Sequence, residues 1–250
     1  ENNSGGIMTA SRDFDLAEMS VRELNEFLHR ELPELVDVSQ GASIHDDDPL
    51  TRINVFNPNG GHSIAAGLDC AVEVEIHGHA GYFIAGMNKQ ARVTVHGNVG
   101  WSVAENMMSG EVRVKGHASE SAAASMHGGL AVIEGDASSR CGISLKGGRV
   151  VVAGNVGHFS AFMAQAGTMI VCGDAGANLG DSLYEAVIYV GGKIHGLGAD
   201  AREEPMETSD VEAVRSLLSE ADVEGDPETF RRVASARSLY HWNADAHQEY

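Results

Sequence analysis

Apolar residues alternate along short stretches that each run into a glycine: "VTVHGNVGWSV" at 93–103, "VVVAGNVG" at 150–157 and "MIVCGDAG" at 169–176. Aligned on one glycine, the phrase recurs at Gly78, Gly97, Gly116, Gly135, Gly154, Gly173 and Gly192, a step of 19 residues without insertion. The neighbours keep register. Four residues before the glycine stand Val74, Val93, Val112, Ala131, Val150, Met169 and Ile188, and two before it Ile76, Val95, Val114, Ile133, Val152, Val171 and Val190. Small or apolar residues follow two positions later, and a small residue stands thirteen positions later. A period of two before each glycine predicts a short strand with one face inward, and the glycine is read as bending the chain. A strict repeat of short strands with no helix between them predicts an all-β, right-handed parallel β-helix of seven to eight coils. Stacked at about 4.8 Å per coil, it makes a rod of roughly 35–40 Å. A looser turn at Ile53–Gly60 reads as a first coil with about two extra residues.

The same parity turns the residues one, three and five before the glycine outward. In early coils these are charged or polar: Glu73, Glu75 and His77, then Arg92, Thr94 and His96, then Glu111, Arg113 and Lys115. In later coils they become Leu130 and Val132, Val151, Ile170, and Val187 and Tyr189. A free rod does not need an apolar outer stripe. Val132, Val151, Ile170 and Tyr189 are therefore expected to be covered, by the C-terminal helices or at an interface with another subunit.

The chain divides into 1–8, 9–49, 50–201 and 202–250. Residues 1–8, "ENNSGGIM", read as an expression remnant with Met8 the native initiator, and they lack the basic start and apolar core of a signal peptide. Ser20 and Glu23 form a capping-box pattern before Val21, Leu24, Leu28 and Leu32, predicting a helix over roughly 20–32 that stops at Pro33. Ser209 and Glu212 repeat that pattern, and Asp226-Pro227 opens a predicted third helix carrying Phe230, Val233 and Ala234. Such helices cap the ends and one side of a solenoid, or dock partners, or both.

Composition and charge narrow the function. The net charge of −19 is uneven, with −9 on residues 1–49, −2 on 50–198 and −8 on 199–250. Acidic flanks oppose nucleic acid and anionic membrane surfaces and serve solubility or a partner. No apolar run approaches the roughly 20 residues of a membrane span. Cys70, Cys141 and Cys172 are an odd, widely spaced set without CxxC, against a disulfide framework, a zinc site or an iron–sulfur cluster. Reduced thiols fit a cytoplasmic protein.

Motifs for chemistry are sparse. There is no P-loop, and the GxxG turns do not open a helix as a dinucleotide fingerprint does, so they read as structural. His79, Asn98, His117, Asp136, Asn155, Asp174 and Lys193 form a polar column just after the glycines, as turn residues do. His77 and His96 stack in register but lack a third metal ligand. No nucleophile elbow appears and no cysteine has a patterned histidine. Arg140, the one base in "SSRCGIS", is an anion candidate or an external ion pair; Met107, Met126, Leu145 and Leu183 share one column and read as core. No catalytic, cofactor or metal residue is assigned.

Five phrases, "GHAGYFIAGM", "GNVGWSVAENMMSGEVRVKG", "SSRCGISLKGGRVVVAGNVG", "FMAQAGTMIVCGDAGANLGD" and "IYVGGKIHGLGADA", resemble the C-terminal glycine-pattern β-helix domain of the glutamate synthase large subunit, over about 53–201. "VRELNEFLH" and "ASARSLYHW" resemble its stand-alone subunits, found in three-part glutamate synthases and in N-methylglutamate synthase. The β-helix subunit of formylmethanofuran dehydrogenase is a more distant likeness. Most turns here read GxxG or GxxS, a departure from the name-giving pattern. The resemblance implies a noncatalytic scaffold beside two partners: a class II glutamine amidotransferase-like subunit, and a glutamate synthase-like barrel holding FMN and an iron–sulfur cluster. The implied reaction is glutamate plus methylamine to N-methylglutamate plus ammonia, or glutamine-dependent glutamate synthesis. A self-contained β-helix enzyme and a purely structural module are the other readings.

Overall fold

The computed structural model of the chain describes residues 11–35 and 52–237; the segments 1–8 and 238–250 lie outside them. In chain order come β1 (Ser11–Asp15), α1 (Val21–Arg30), α2 (Leu32–Leu35), β2 (Arg52–Phe56), β3 (Glu73–His77), β4 (Arg92–Val95), β5 (Glu111–Val114), β6 (Leu130–Ile133), β7 (Lys146–Val152), β8 (Ala166–Val171), β9 (Val187–Val190), β10 (Ala201–Glu204), α3 (Thr208–Glu220) and β11 (Arg231–Ser235). One sheet holds all the strands, in the order β1 to β9, then β11, then β10. From β1 to β9 every pairing is parallel, which makes a β-solenoid. Between β2 and β9 the register steps by 19 residues, as from Val93 to Val112, except that Arg52 pairs with Glu73, so the first coil carries two extra residues, and that an irregularity in β7 pairs Lys146 with Ala166. Val74, Val93, Val150 and Ile188 are fully buried in the core, as the alternation requires.

A second side is a column of single parallel bridges from Ala80 through Val99, Ala118, Ala137, Val156 and Ala175 to Ile194. The third side is not a strand. Positions five, seven and nine after each anchor glycine from Gly78 to Gly173 have left-handed backbone, as at Ser102, Ala104 and Asn106 (φ 61°, 57° and 54°). Such non-glycine residues cost about 1–2 kcal/mol each. What holds them is a ladder in both directions: the Ser102 and Asn106 N–H groups donate to the carbonyls of Glu120 and Ala124 on the next coil, and Ala104 donates back to Ile84, each at 2.9 Å.

The glycines divide the work differently from the expectation. Gly97, Gly116, Gly135, Gly154, Gly173 and Gly192 are not left-handed. They are needed because coils touch there: a Cβ on Gly173 would lie 2.7 Å from the Gly154 carbonyl oxygen and 2.5 Å from Asn155 Oδ1. Of the anchor column only Gly78 has a positive φ, 140°; in the other coils the left-handed bend belongs to a second column, Gly110, Gly129, Gly148 and Gly167, with φ of 84°, 83°, 76° and 101°.

The N-terminal end is closed by α1. Its capping box forms, with Glu23 N–H donating to Ser20 Oγ at 3.3 Å and Ser20 N–H to Glu23 Oε2 at 2.8 Å. Leu24, Phe27 and Leu28 cover the first coil, and Phe14 packs on Phe27 at 4.8 Å. The first coil has no predecessor to receive its Ala65 N–H. Asn25 takes that place, accepting from Ala65 at 3.1 Å and donating to the Ser63 carbonyl at 2.8 Å. The helix ends at Arg30, before Pro33, which enters the single turn α2. The N-terminal segment also supplies β1, which its sequence did not announce.

The C-terminal segment departs from the predicted pair of helices. α3 begins two residues early, with Asp210 Oδ2 accepting the Glu207 N–H at 2.9 Å, so Ser209 is not its cap. Asp226-Pro227 opens only a single 3-10 turn, Pro227–Thr229, and Val233 and Ala234 lie in β11. The reason is the free edge of β9. The strand β11 pairs antiparallel with it through Arg232 and Tyr189 and satisfies the edge that a helix would have left open.

Candidate functional site

The apolar outer stripe is covered by the chain itself. Val132, Val151 and Ile170 are fully buried and Tyr189 nearly so, in a cluster with Val214, Leu217, Leu218, Ala221 and Phe230. Two polar clamps fix α3 over it: Arg149 pairs with Glu220 at 2.6 Å, and Arg113 Nη2 donates to the Ala221 carbonyl at the helix C-terminus at 2.8 Å. At the other end of α3, Tyr189 donates to Asp210 Oδ1 at 2.6 Å and Arg232 reaches the same oxygen at 3.2 Å. Burial, then the Asp210 hydrogen bond and charge, push the Tyr189 phenol up to about 12. The four residues offered as an interface to another subunit are therefore taken by α3, and the intramolecular alternative is the one observed.

The polar column after the anchor glycines is a hydrogen-bond ladder. Each side chain accepts the backbone N–H of its counterpart one coil on: His79 from Asn98, Asn98 from His117 and His117 from Asp136 at 2.9 Å, then Asp136 from Asn155, Asn155 from Asp174 and Asp174 from Lys193 at 2.7 Å. The Lys193 N–H, ahead of the His195 contact, lowers the Asp174 carboxyl. Acceptance through Nδ1 requires His79 and His117 to carry their proton on Nε2.

The strand-face charges are spent in the same way. Glu73 binds Arg52 at 2.7 Å and Arg92 at 3.3 Å, and Glu134 binds Lys115 at 2.6 Å and Arg113 at 3.0 Å. Partial burial raises the Glu134 carboxyl, but hydrogen bonds from Lys115 and Arg113 outweigh it and leave the group below its ordinary value. His77 stacks on Phe56 at 4.7 Å and on His96 at 5.0 Å, and His96 meets Glu75 at 2.5 Å. Among the described residues no group of three His, Cys, Asp or Glu is placed to hold a metal ion. Arg140 faces Glu120 at 4.0 Å on the exterior. Met107, Met126, Leu145 and Leu183 are buried as core, but the same column holds Asn88, fully buried, which donates to the Ala91 carbonyl at 2.7 Å and accepts its N–H at 3.2 Å. Burial raises the Cys70, Cys141 and Cys172 thiols to about 11, 12 and 11, with the Asp69 charge adding to the first.

What the column reading passed over is an exposed patch four to eleven residues after the anchor glycines. Tyr82 and Trp101 are 41 % and 57 % exposed, and Met87 and Met108 48 % and 46 %. His62 stacks on Tyr82 at 4.0 Å, and Tyr82 meets Trp101 edge-on at 6.0 Å. Two aromatic residues at one position of successive coils were the available signal.

Among known proteins, the chain is 47 % identical over 232 residues to Protein GlxC of Rhizobium meliloti (strain 1021), spanning 92 % of this chain and 96 % of that protein. The chain belongs to the GlxC family. No family model matches it. The coils occupy 52–198, so a GlxC match of this length takes in flanking segments as well as the solenoid. Among the described residues of this GlxC-family chain, no helix is long and apolar enough to cross a membrane.

Proposed function

We propose that the chain is a noncatalytic scaffold subunit of an FMN-dependent N-methylglutamate synthase-type complex, positioning an amidotransferase-like subunit against an FMN barrel subunit. The observation that supports it best is where the polar side chains go. The column from His79 to Asp174 accepts backbone N–H groups coil by coil, and Glu73, Arg92, Glu111, Arg113 and Glu134 pair along the strand face. The acidic, basic and imidazole groups of these two columns are committed to stacking the rod. A rod so tied is stiff, and stiffness is what a spacer between two active subunits needs. FMN and the iron–sulfur cluster belong, in this reading, to the barrel partner. The resemblance of the coil phrases to the glutamate synthase β-helix domain gives the class of complex, and the stand-alone subunit form, with its flanks "VRELNEFLH" and "ASARSLYHW", supplies the choice among them.

The test is co-expression with an amidotransferase-like subunit and an FMN barrel subunit of the glutamate synthase type. The expected result is one flavin-containing complex that forms N-methylglutamate and ammonia from glutamate and methylamine. Glutamate formation from glutamine and 2-oxoglutarate instead would assign the chain to a glutamate synthase of the same architecture. A chain that stays a lone monomer and leaves the flavin protein unbound would overturn the scaffold role.

A further inference from the structure

α3 closes the strand face over its later coils, and the turn side offers a separate exposed surface. The exposed patch on the turn side is continuous across two coils. The Phe83 ring lies over Gly86, where an added Cβ would come within 2.6 Å of it, in the turn between Tyr82 and Met87. Met108 donates its N–H to the Asn88 carbonyl at 2.8 Å, which sets it beside Met87 on the next coil. From the exposed fractions, Tyr82, Met87, Trp101 and Met108 present about 400 Å² of mostly apolar surface. That is about half of what a standard interface takes from each side, and it has the composition of an interface core, with Trp, Tyr and Met.

Its rim is acidic. The Met87 N–H donates to the Glu105 carbonyl at 2.7 Å, so Glu105 borders the patch, and its carboxylate makes no ion pair among the described residues. Ser102 donates to the Glu120 carbonyl at 2.9 Å, which places Glu120 next along from Trp101, held only by the 4.0 Å contact to Arg140. Two copies of a chain with net charge −19 repel as they approach, whereas a basic rim is attracted. We infer that this patch is the docking surface for a separate protein whose apolar contact presents Lys or Arg toward Glu105 and Glu120. The inference rests on the scaffold reading and adds to it the face used and the charge of the partner.

The test uses the full chain and the two subunits named above, with binding measured on purified proteins. Trp101→Glu is expected to weaken binding by about 30-fold or more, as loss of a hot-spot residue does. Met108→Glu should act in the same direction, giving a second variant should the first disturb folding as read by circular dichroism. Met163→Glu, equally exposed three coils away, should change nothing. Binding should also weaken as salt rises from about 0.1 to 1 M. A complex that forms equally well with Trp101→Glu and Met108→Glu overturns the surface and leaves the scaffold role standing. Failure of both subunits to bind the unaltered chain overturns both. A homodimer dissolved by Trp101→Glu in light scattering would make the occupant a second copy and overturn the partner assigned here.

Discussion

Replacing Gly173 by alanine tests the reason for the 19-residue glycine column. The new methyl would lie 2.7 Å from the Gly154 carbonyl oxygen and 2.5 Å from Asn155 Oδ1, well inside ordinary contact. The amide can swing away, but it then releases the Asp174 N–H that it accepts at 2.7 Å, a loss of about 0.5–1.5 kcal/mol at an exposed site. The carbonyl cannot swing, because it accepts the Gly173 N–H at 2.9 Å, and shifting one coil against the next costs about 1–3 kcal/mol by analogy with overpacked cores. Together these give a destabilisation of about 1.5–4.5 kcal/mol. The double-mutant cycle with Asn155→Ala separates the two terms. With the amide gone, Gly173→Ala should cost less by about 0.5–1.5 kcal/mol. Gly196→Ala is the control: its nearest neighbour is 3.7 Å away and its backbone is not left-handed, so the change should stay within about 0.5 kcal/mol of zero. Urea denaturation followed by circular dichroism reads all four variants. If Gly173→Ala unfolds with the unaltered protein, or costs the same with and without Asn155, close approach is not why glycine stands there.

Val151→Asp buries an unpaired charge beneath α3, so hydrogen exchange and limited proteolysis should show the helix freed while protection of the coils persists, since its cluster is separate from the main core. Because folding raises the Tyr189 phenol above its unfolded value near 10, its contribution is fully present below pH 10 and is lost between about pH 10 and 12; Tyr189→Phe should flatten stability over that window in alkaline denaturation. The three thiols, pushed up by burial, should resist a disulfide reagent at pH 8 until urea unfolds the chain, with half-buried Cys172 the first to react if any does. Asn88→Ala should cost about 1–3 kcal/mol in the same urea assay, because it strands the buried Ala91 N–H.

Much of the architecture is written in the repeat. The alternation at Val93 and Val95, copied every 19 residues, fixes which atoms face inward, because a strand has period two and identical coils can stack only in register. The polar column at Asn98, Asp136 and Asn155 was legible as a turn feature for the same reason, since a position repeated in every coil meets its own copy. The switch of outer residues to Val132, Val151 and Ile170 announced a cover but not its identity. Only the tertiary structure decided that α3 lies there, through contacts such as Arg113 to Ala221 between residues far apart in the chain. It likewise turned 231–235 into a strand, because the edge of β9 needed a partner and no local signal records that need. The reason for the anchor glycines was also hidden. A sequence shows that a side chain is missing, whereas the carbonyl of Gly154 that would collide with it belongs to the coil before.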